Sequence, residues 1–198
     1  NSVYFRIDKL NMRSRSASNF STEDLRKIVK ICQENNVKSY LTVNTVIYND
    51  DIELMHEIVD TAKEVNVSAI IAADVAVMLY AFEKGVEVHL STQLNIANVE
   101  ALKFYARYAD VVVLARECNM EQVAQIWKAI QDEKICGPNG ELIKIEMFCH
   151  GALCMAVSGK CYLSLHELNA SANRGACYQV CRHGYRLIDD ERDIEIKV

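Results

Sequence analysis

Four cysteines near the carboxyl end, Cys154, Cys161, Cys177 and Cys181, stand in the spacing C-x6-C-x15-C-x3-C. Thiolates are soft ligands, and four of them in one stretch point to metal or cluster ligation. Three readings compete: an iron–sulfur cluster, a structural zinc ion, and thiols with no metal. The x6 and x15 gaps are unlike the short C-x2–4-C knuckles of common zinc sites, which favours the cluster. A cysteine nucleophile is a further reading, because His150 lies four residues before Cys154. Catalytic pairs are seldom sequence neighbours, however. Cys32 and Cys118 fall in or beside expected helices and read as core thiols. Cys136 falls in a loop, and Cys149 at a strand end, where it can face either side.

The chain that must position these thiols has 198 residues, 51% of them hydrophobic, enough for one substantial core. One proline and seven glycines argue against disorder and linkers. A net charge of −5 means that the average surface does not attract nucleic acid, so an RNA partner needs a local basic patch or a segment beyond this one. No signal peptide is visible. The chain also lacks an initiator Met, as expected of a piece of a longer protein. The most apolar stretch, 65–82, contains Asp74 and splits into a strand and a helix, so no membrane span is expected. Eight cysteines in a chain that is neither small nor loop-rich suit a reducing cytoplasm better than secretion.

Apolar β-rich runs alternate with amphipathic segments. Strands are expected at 3–7, 39–43, 67–72, 87–90, 110–114 and 142–148. Between them, Ser21 to Asp24 reads as a helix start, with Leu25, Ile28, Val29 and Cys32 on one face. Further helices are expected from 49 to 65, 75 to 84 with Gly85 as C-cap, 96 to 108, and 120 to 130 before a Gly137–Gly140 turn. Strict alternation with continuous apolar strands means a parallel sheet covered by helices. An open doubly wound sheet and a (β/α)8 barrel compete. No G-x-G-x-x-G follows the first strand, which weakens the dinucleotide-binding version of the former.

Polar residues recur just past the strand ends: Asn44, Asp74, Ser91 with Gln93, Arg116 with Glu117, and His150. In a barrel these positions converge on the catalytic rim. Taken singly each has a plainer role. Asp74 can cap a helix, and Arg116 can pair with Glu117. Their recurrence over successive strands selects the barrel. Only six strands are countable where a barrel needs eight, and 198 residues is short against the usual ~250. The expectation is a TIM-like barrel truncated at one or both ends. Residues 1–150 form its partial barrel, and 151–198 a cysteine-rich segment packed on the rim, with the chain ending before closure. A homodimer is one way to cover the open sheet edges.

Residues 146–164, EMFCHGALCMAVSGKCYLS, resemble the signature of the peptidase U32 family, the collagenase-like proteases. Glu146, Phe148, Gly151, Ala152, Leu153, Cys154, Gly159, Cys161, Leu163 and Ser164 occupy its defined positions. The runs 172–182, Leu10-Asn-Met-Arg13, Val43-Asn-Thr45, Ser91-Thr-Gln93 and Val113–Glu117 are similar to other family segments, so the resemblance covers nearly the whole chain. Val157 and Lys160 depart from a frequent Tyr and Arg; neither change removes a thiol. The family name implies a peptidase, yet the chain has no H-E-x-x-H helix and no G-x-S-x-G elbow.

Other relatives implied by the resemblance hydroxylate RNA, at tRNA wobble uridine or an rRNA cytidine, or serve oxygen-independent ubiquinone synthesis. The resemblance implies a 4Fe–4S cluster on Cys154, Cys161 and Cys177. Cys181, or a thiol further downstream, would be the fourth ligand. In the tRNA branch it implies prephenate as the source of the hydroxyl oxygen. Glu146, His150, Arg116 and Gln93 are then the expected catalytic residues, and Asn11, Arg13, Arg15 and Asn44 the expected substrate-binding ones. Arginine forks suit a carboxylate or phosphate, although 11–15 also reads as a solvated loop. Plainer roles remain for His150, orienting the cysteine loop, and for Glu146, an ion pair inside the barrel. A non-catalytic cluster protein that needs a second subunit is a further reading.

Overall fold

The structure, a computed structural model, describes residues 1–15, 20–151, 154–189, 192 and 194–197; for 187, 189 and 194–197 it describes the backbone alone. Ala152 and Leu153 of the signature lie outside the described residues. Six parallel strands form one sheet: β1 (Ser2–Phe5), β2 (Lys38–Val43), β3 (Ala69–Ala72), β4 (Val88–Leu90), β5 (Val111–Val113) and β6 (Lys144–Glu146). Their order in space is their order in sequence. A doubly wound sheet reverses order at a switch point, whereas right-handed crossovers that always step the same way put every helix on one face and curl the sheet. The result is the curled half-barrel of an α/β fold, in keeping with a truncated TIM-like barrel.

Register fixes which side chains face the helices. Parallel partners point the same way, so Leu41, Val43, Ile70, Ala72, Val88, Leu90 and Val112 share the outer face. They are buried in one core with Leu25 and Val29 of α1 (Asp24–Glu34), and Met55, Ile58 and Val59 of α2 (Ile52–Glu64). Val77 and Met78 of α3 (Val75–Glu83), Leu102 of α4 (Val99–Tyr105), and Ile126 and Ile130 of α5 (Met120–Glu133) complete it. Each such side chain contributes roughly 1.5–3 kcal/mol by leaving water. Tyr40, Thr42, Ile71, His89, Val111, Val113, Lys144 and Glu146 share the inner face.

The elements follow the sequence pattern with local differences. Ser21 and Asp24 exchange hydrogen bonds as a capping box does, but the helix proper begins at Asp24. The fourth helix, expected over 96–108, is shorter. Asn98 caps the Ala101 amide at 2.8 Å, and Thr92–Leu94 forms a separate 3-10 turn, leaving Ile96 buried in the loop between them. The fifth helix runs three residues past the expected 130. Expected strand 142–148 contracts to Lys144–Glu146, because Leu142 bridges back to Cys136 around the Gly137–Gly140 turn. Beyond the sheet lie α6 (Leu163–Leu168) and an antiparallel hairpin of β7 (Arg186–Asp189) and β8 (Ile194–Lys197), which the sequence reading did not anticipate. Among the described residues no helix is long and apolar enough to cross a membrane.

The Gly137 turn sets where β6 joins the sheet. A Cβ there would lie 2.8 Å from both the Ala109 carbonyl oxygen and Asp110 Cα, backbone atoms that cannot step aside. Gly137→Ala is expected to cost about 1–3 kcal/mol in urea unfolding. Gly184→Ala, where nothing lies within 4 Å, is expected to stay within about 0.5 kcal/mol of the parent.

Candidate functional site

Every sheet strand ends toward the same rim, and the loops after those ends carry the polar residues singled out above. Most are spoken for. Asn11 is buried, with its amide nitrogen donating to the Ile7 carbonyl and its Oδ1 accepting from the Arg13 amide at 2.9 Å. Asn44 Oδ1 accepts from the Met12 amide at 3.1 Å and so joins the β1 and β2 loops. Asp74 takes the plainer of its two readings. One oxygen caps α3 by accepting from Ala76 at 2.9 Å, and the other accepts from the Ile47 amide at 3.0 Å. Gln93 Oε1 accepts from the Ser91 hydroxyl.

The cysteine-rich segment lies across this rim as a roof. At one end Arg116, just past β5, does not pair with Glu117. Its Nε and one terminal nitrogen donate to Ser158 Oγ at 3.1 and 2.7 Å, and its fork also reaches the carbonyls of Cys154 and Ala156 at 3.2 and 3.0 Å. Asn95 donates to the Ser158 carbonyl at 2.8 Å. At the other end Arg174 grips the β2–α2 loop. It donates to the Val46 carbonyl at 2.6 Å and to both oxygens of Asp51, and its guanidinium lies 4.1 Å from the centre of the Tyr48 ring. The Arg174 bonds, more than the Tyr48 amide, hold the Asp51 carboxyl below its usual pKa against the opposing effect of burial. Arg15 donates to the Tyr178 hydroxyl at 2.7 Å.

Two glycines let the roof come down. A Cβ on Gly175, where φ is +90°, would lie 2.5 Å from the Asn11 carbonyl oxygen. A Cβ on Gly159, where φ is +71°, would lie 3.0 Å from Gln93 Cβ. Only glycine adopts these backbone angles without strain and also permits such approach. Between roof and rim remains a cleft of about 90 Å³, lined by Met12, Asn44, Thr45, Val46, Ala73, Asp74, Gln93, Gly159 and Asn173. Thr45 Oγ1 and Asn173 Oδ1 are buried there with no hydrogen-bond partner. Sequence reasoning gave Thr45, Ser158, Asn173 and Arg174 no role. The available signal was that all four sit in or beside the family-like runs.

The sequence-predicted residues do not all meet. Gln93 and Asn44 line the cleft, and Arg116 holds the roof. Arg13 is exposed with no side-chain partner among the described residues. Glu146 and His150 are exposed, the former on the inner face of the half-barrel by register. Cys154 and Cys181 are exposed and Cys161 and Cys177 half-buried, all as free thiols. Among the described residues no three Cys, His, Asp or Glu side chains stand close enough to hold a metal ion. The donor chemistry therefore suits iron and sulfide, while the arrangement does not gather the donors. Cys32 is buried, and burial with the Glu117 charge pushes the Cys118 thiol up. Among the described residues the paired histidines meet carboxylates, His89 with Glu87 and His166 with Glu167, and none meets a serine, threonine or cysteine.

Comparison with known proteins matches this architecture to one family. The sequence model described as "Peptidase family U32" matches residues 1–197. A protein named Collagenase from Porphyromonas gingivalis is 65% identical over all of this chain and 48% of its own length. The 23S rRNA 5-hydroxycytidine C2501 synthase of Escherichia coli is 35% identical over 89% of this chain and 25% of its own. The chain thus spans about half the length of the first and a quarter of the second. The solved structure of the U32 peptidase Mk0906 has the same fold, with a TM-score of 0.54 over 74% of this chain and 58% of its own at 14% identity. The family model over residues 1–197 and the relative at 65% identity decide the matter: the chain belongs to peptidase family U32.

Proposed function

We propose that the chain is part of an RNA hydroxylation enzyme acting on a pyrimidine nucleotide, an rRNA cytidine or a tRNA wobble uridine. The observation that carries this reading is the thiol-bearing roof seated over a rim cleft whose polar atoms await a partner. Relatedness to the cytidine synthase over 89% of the chain supports it. In this reading the rim loops bind and orient the nucleotide while the roof excludes water. Cys154, Cys161, Cys177 and Cys181 would be the residues to hold a 4Fe–4S cluster, which would supply redox or ligand-binding chemistry. Prephenate remains the proposed oxygen source. The proposed setting is the cytoplasm, where the RNA is, with a second copy of this half-barrel as the proposed cover for the edges of β1 and β6.

The second reading is a peptidase, favoured by the name of the relative at 65% identity. It needs a nucleophile beside a base, an arrangement not seen among the described residues.

Full-length protein purified without oxygen is expected to be brown, with about four irons and four sulfides per chain. Cys154→Ser, Cys161→Ser and Cys177→Ser should each lose iron. A strain lacking the gene should lose hydroxylated cytidine or wobble uridine by RNA mass analysis. Unchanged RNA together with iron-free protein that cleaves gelatin through Cys154 would transfer the assignment to the peptidase.

The roof must also stay seated. Removing the Arg174 fork with Arg174→Met should cost about 1.5–3 kcal/mol in thermal or urea unfolding. Asp51 has a lowered folded pKa, so its contribution is complete above the usual value of 3.8 and is lost as pH falls through the lowered one. The stability gap between the parent and Asp51→Asn should be constant near neutrality and shrink only in acid below that value.

A further inference from the structure

The cleft under the roof has a character that the expected anion-binding residues do not share. Of the nine residues lining it, none is lysine or arginine, and its one ionisable side chain is Asp74. Arg15 is engaged with Tyr178 and Arg13 is exposed; neither lines the cleft. A carboxylate or phosphate entering here would meet the Asp74 charge with no cation to offset it.

The cleft nevertheless calls for hydrogen bonds. Thr45 is 2% exposed, and its hydroxyl lacks a partner. Asn173 Oδ1 is buried and is an acceptor only. Buried polar atoms are rarely left unpaired; a donor would satisfy Asn173 Oδ1, and either a donor or an acceptor would satisfy the Thr45 hydroxyl. Gln93, another lining residue, uses its Oε1 on Ser91. Met12 and Val46 add apolar wall. A cleft of about 90 Å³ has room for water, or for the edge of a planar ring whose body stays in the open mouth.

We propose that this cleft seats the hydrogen-bonding edge of an uncharged pyrimidine base, with Thr45 and Asn173 reading its adjacent donor and acceptor, and that it does not seat the dianionic oxygen donor. The inference rests on the RNA reading above for its substrate class, and it names where the base enters. Amide and hydroxyl side chains are the groups that read such an edge in enzymes that take a base out of the stack. Thr45 and Asn173 are thereby binding residues, and Gly159, packed on Gln93, closes one end of the cleft.

The test is nucleoside binding to anaerobically purified full-length protein, followed by ligand-observed NMR and equilibrium dialysis. Uridine and cytidine should bind, and 3-methyluridine, whose edge is blocked, should bind at least about tenfold more weakly. Thr45→Val, which removes a hydroxyl with no partner in the protein, and Asn173→Leu should each weaken uridine about five- to tenfold. Prephenate should not compete with uridine. Absence of nucleoside binding, meaning that the cleft holds water alone, overturns the proposal. So does indifference to N3 methylation and to Thr45→Val, or displacement of uridine by prephenate. RNA mass analysis separates this from the RNA reading. If Thr45→Val restores full hydroxylation to a strain lacking the gene, the cleft assignment falls and the RNA reading stands. If uridine binds through Thr45 but RNA is unchanged in that strain, the RNA reading falls and the cleft remains a pyrimidine site.

Discussion

The arrangement depends on two guanidinium groups that pin a loop-rich segment to a sheet. The segment 154–182 adds no strand to the main sheet; besides these two groups it is joined to the half-barrel by the Asn95 and Arg15 side chains and by backbone bonds from Val46 to Asn173 and from Arg15 to Gly175. Arg116 works from the sheet side and binds roof carbonyls and a hydroxyl; Arg174 works from the roof side and binds a carboxylate and a carbonyl of the rim. The two attachments differ in chemistry. The first is charge to neutral acceptor, insensitive to acid. The second includes an ion pair, and its carboxylate is held ionised by the partner it holds. The roof therefore has one anchor indifferent to pH and one that weakens in acid while keeping its bond to the Val46 carbonyl.

The thiols ride on this segment, and their exposure is a consequence of how it is held. Both anchors bind it through main-chain carbonyls, Ser158 and Arg174, and none through a cysteine side chain. The cysteines stay uncommitted, as reactive or ligating thiols must.

Much of the fold was legible because hydrophobic period and strand spacing are local signals. The six strands, and the preference for a barrel over a doubly wound sheet, followed from alternation and from polar residues at strand ends; the sequential strand order accords with both. What escaped was non-local or competitive. Asn98 outbid an apolar period for the start of α4 by capping Ala101. The Gly137 turn drew Leu142 into a bridge with Cys136 and shortened β6. Arg116 was read as a catalytic rim residue, with pairing to Glu117 as the plainer alternative, because only adjacency is visible in sequence, whereas its partner Ser158 is 42 residues away. For the same reason Asp74, whose capping role is local, was readable, and the meeting of Thr45 with Asn173 was not.

Gly159 fixes how closely the roof rests on the rim. Its backbone runs so close over Gln93 that one added carbon would sit at 3.0 Å from the side chain below. The seat of the roof on the rim is thus set by a missing atom: any side chain at position 159 would push the segment off Gln93 and open the joint between them.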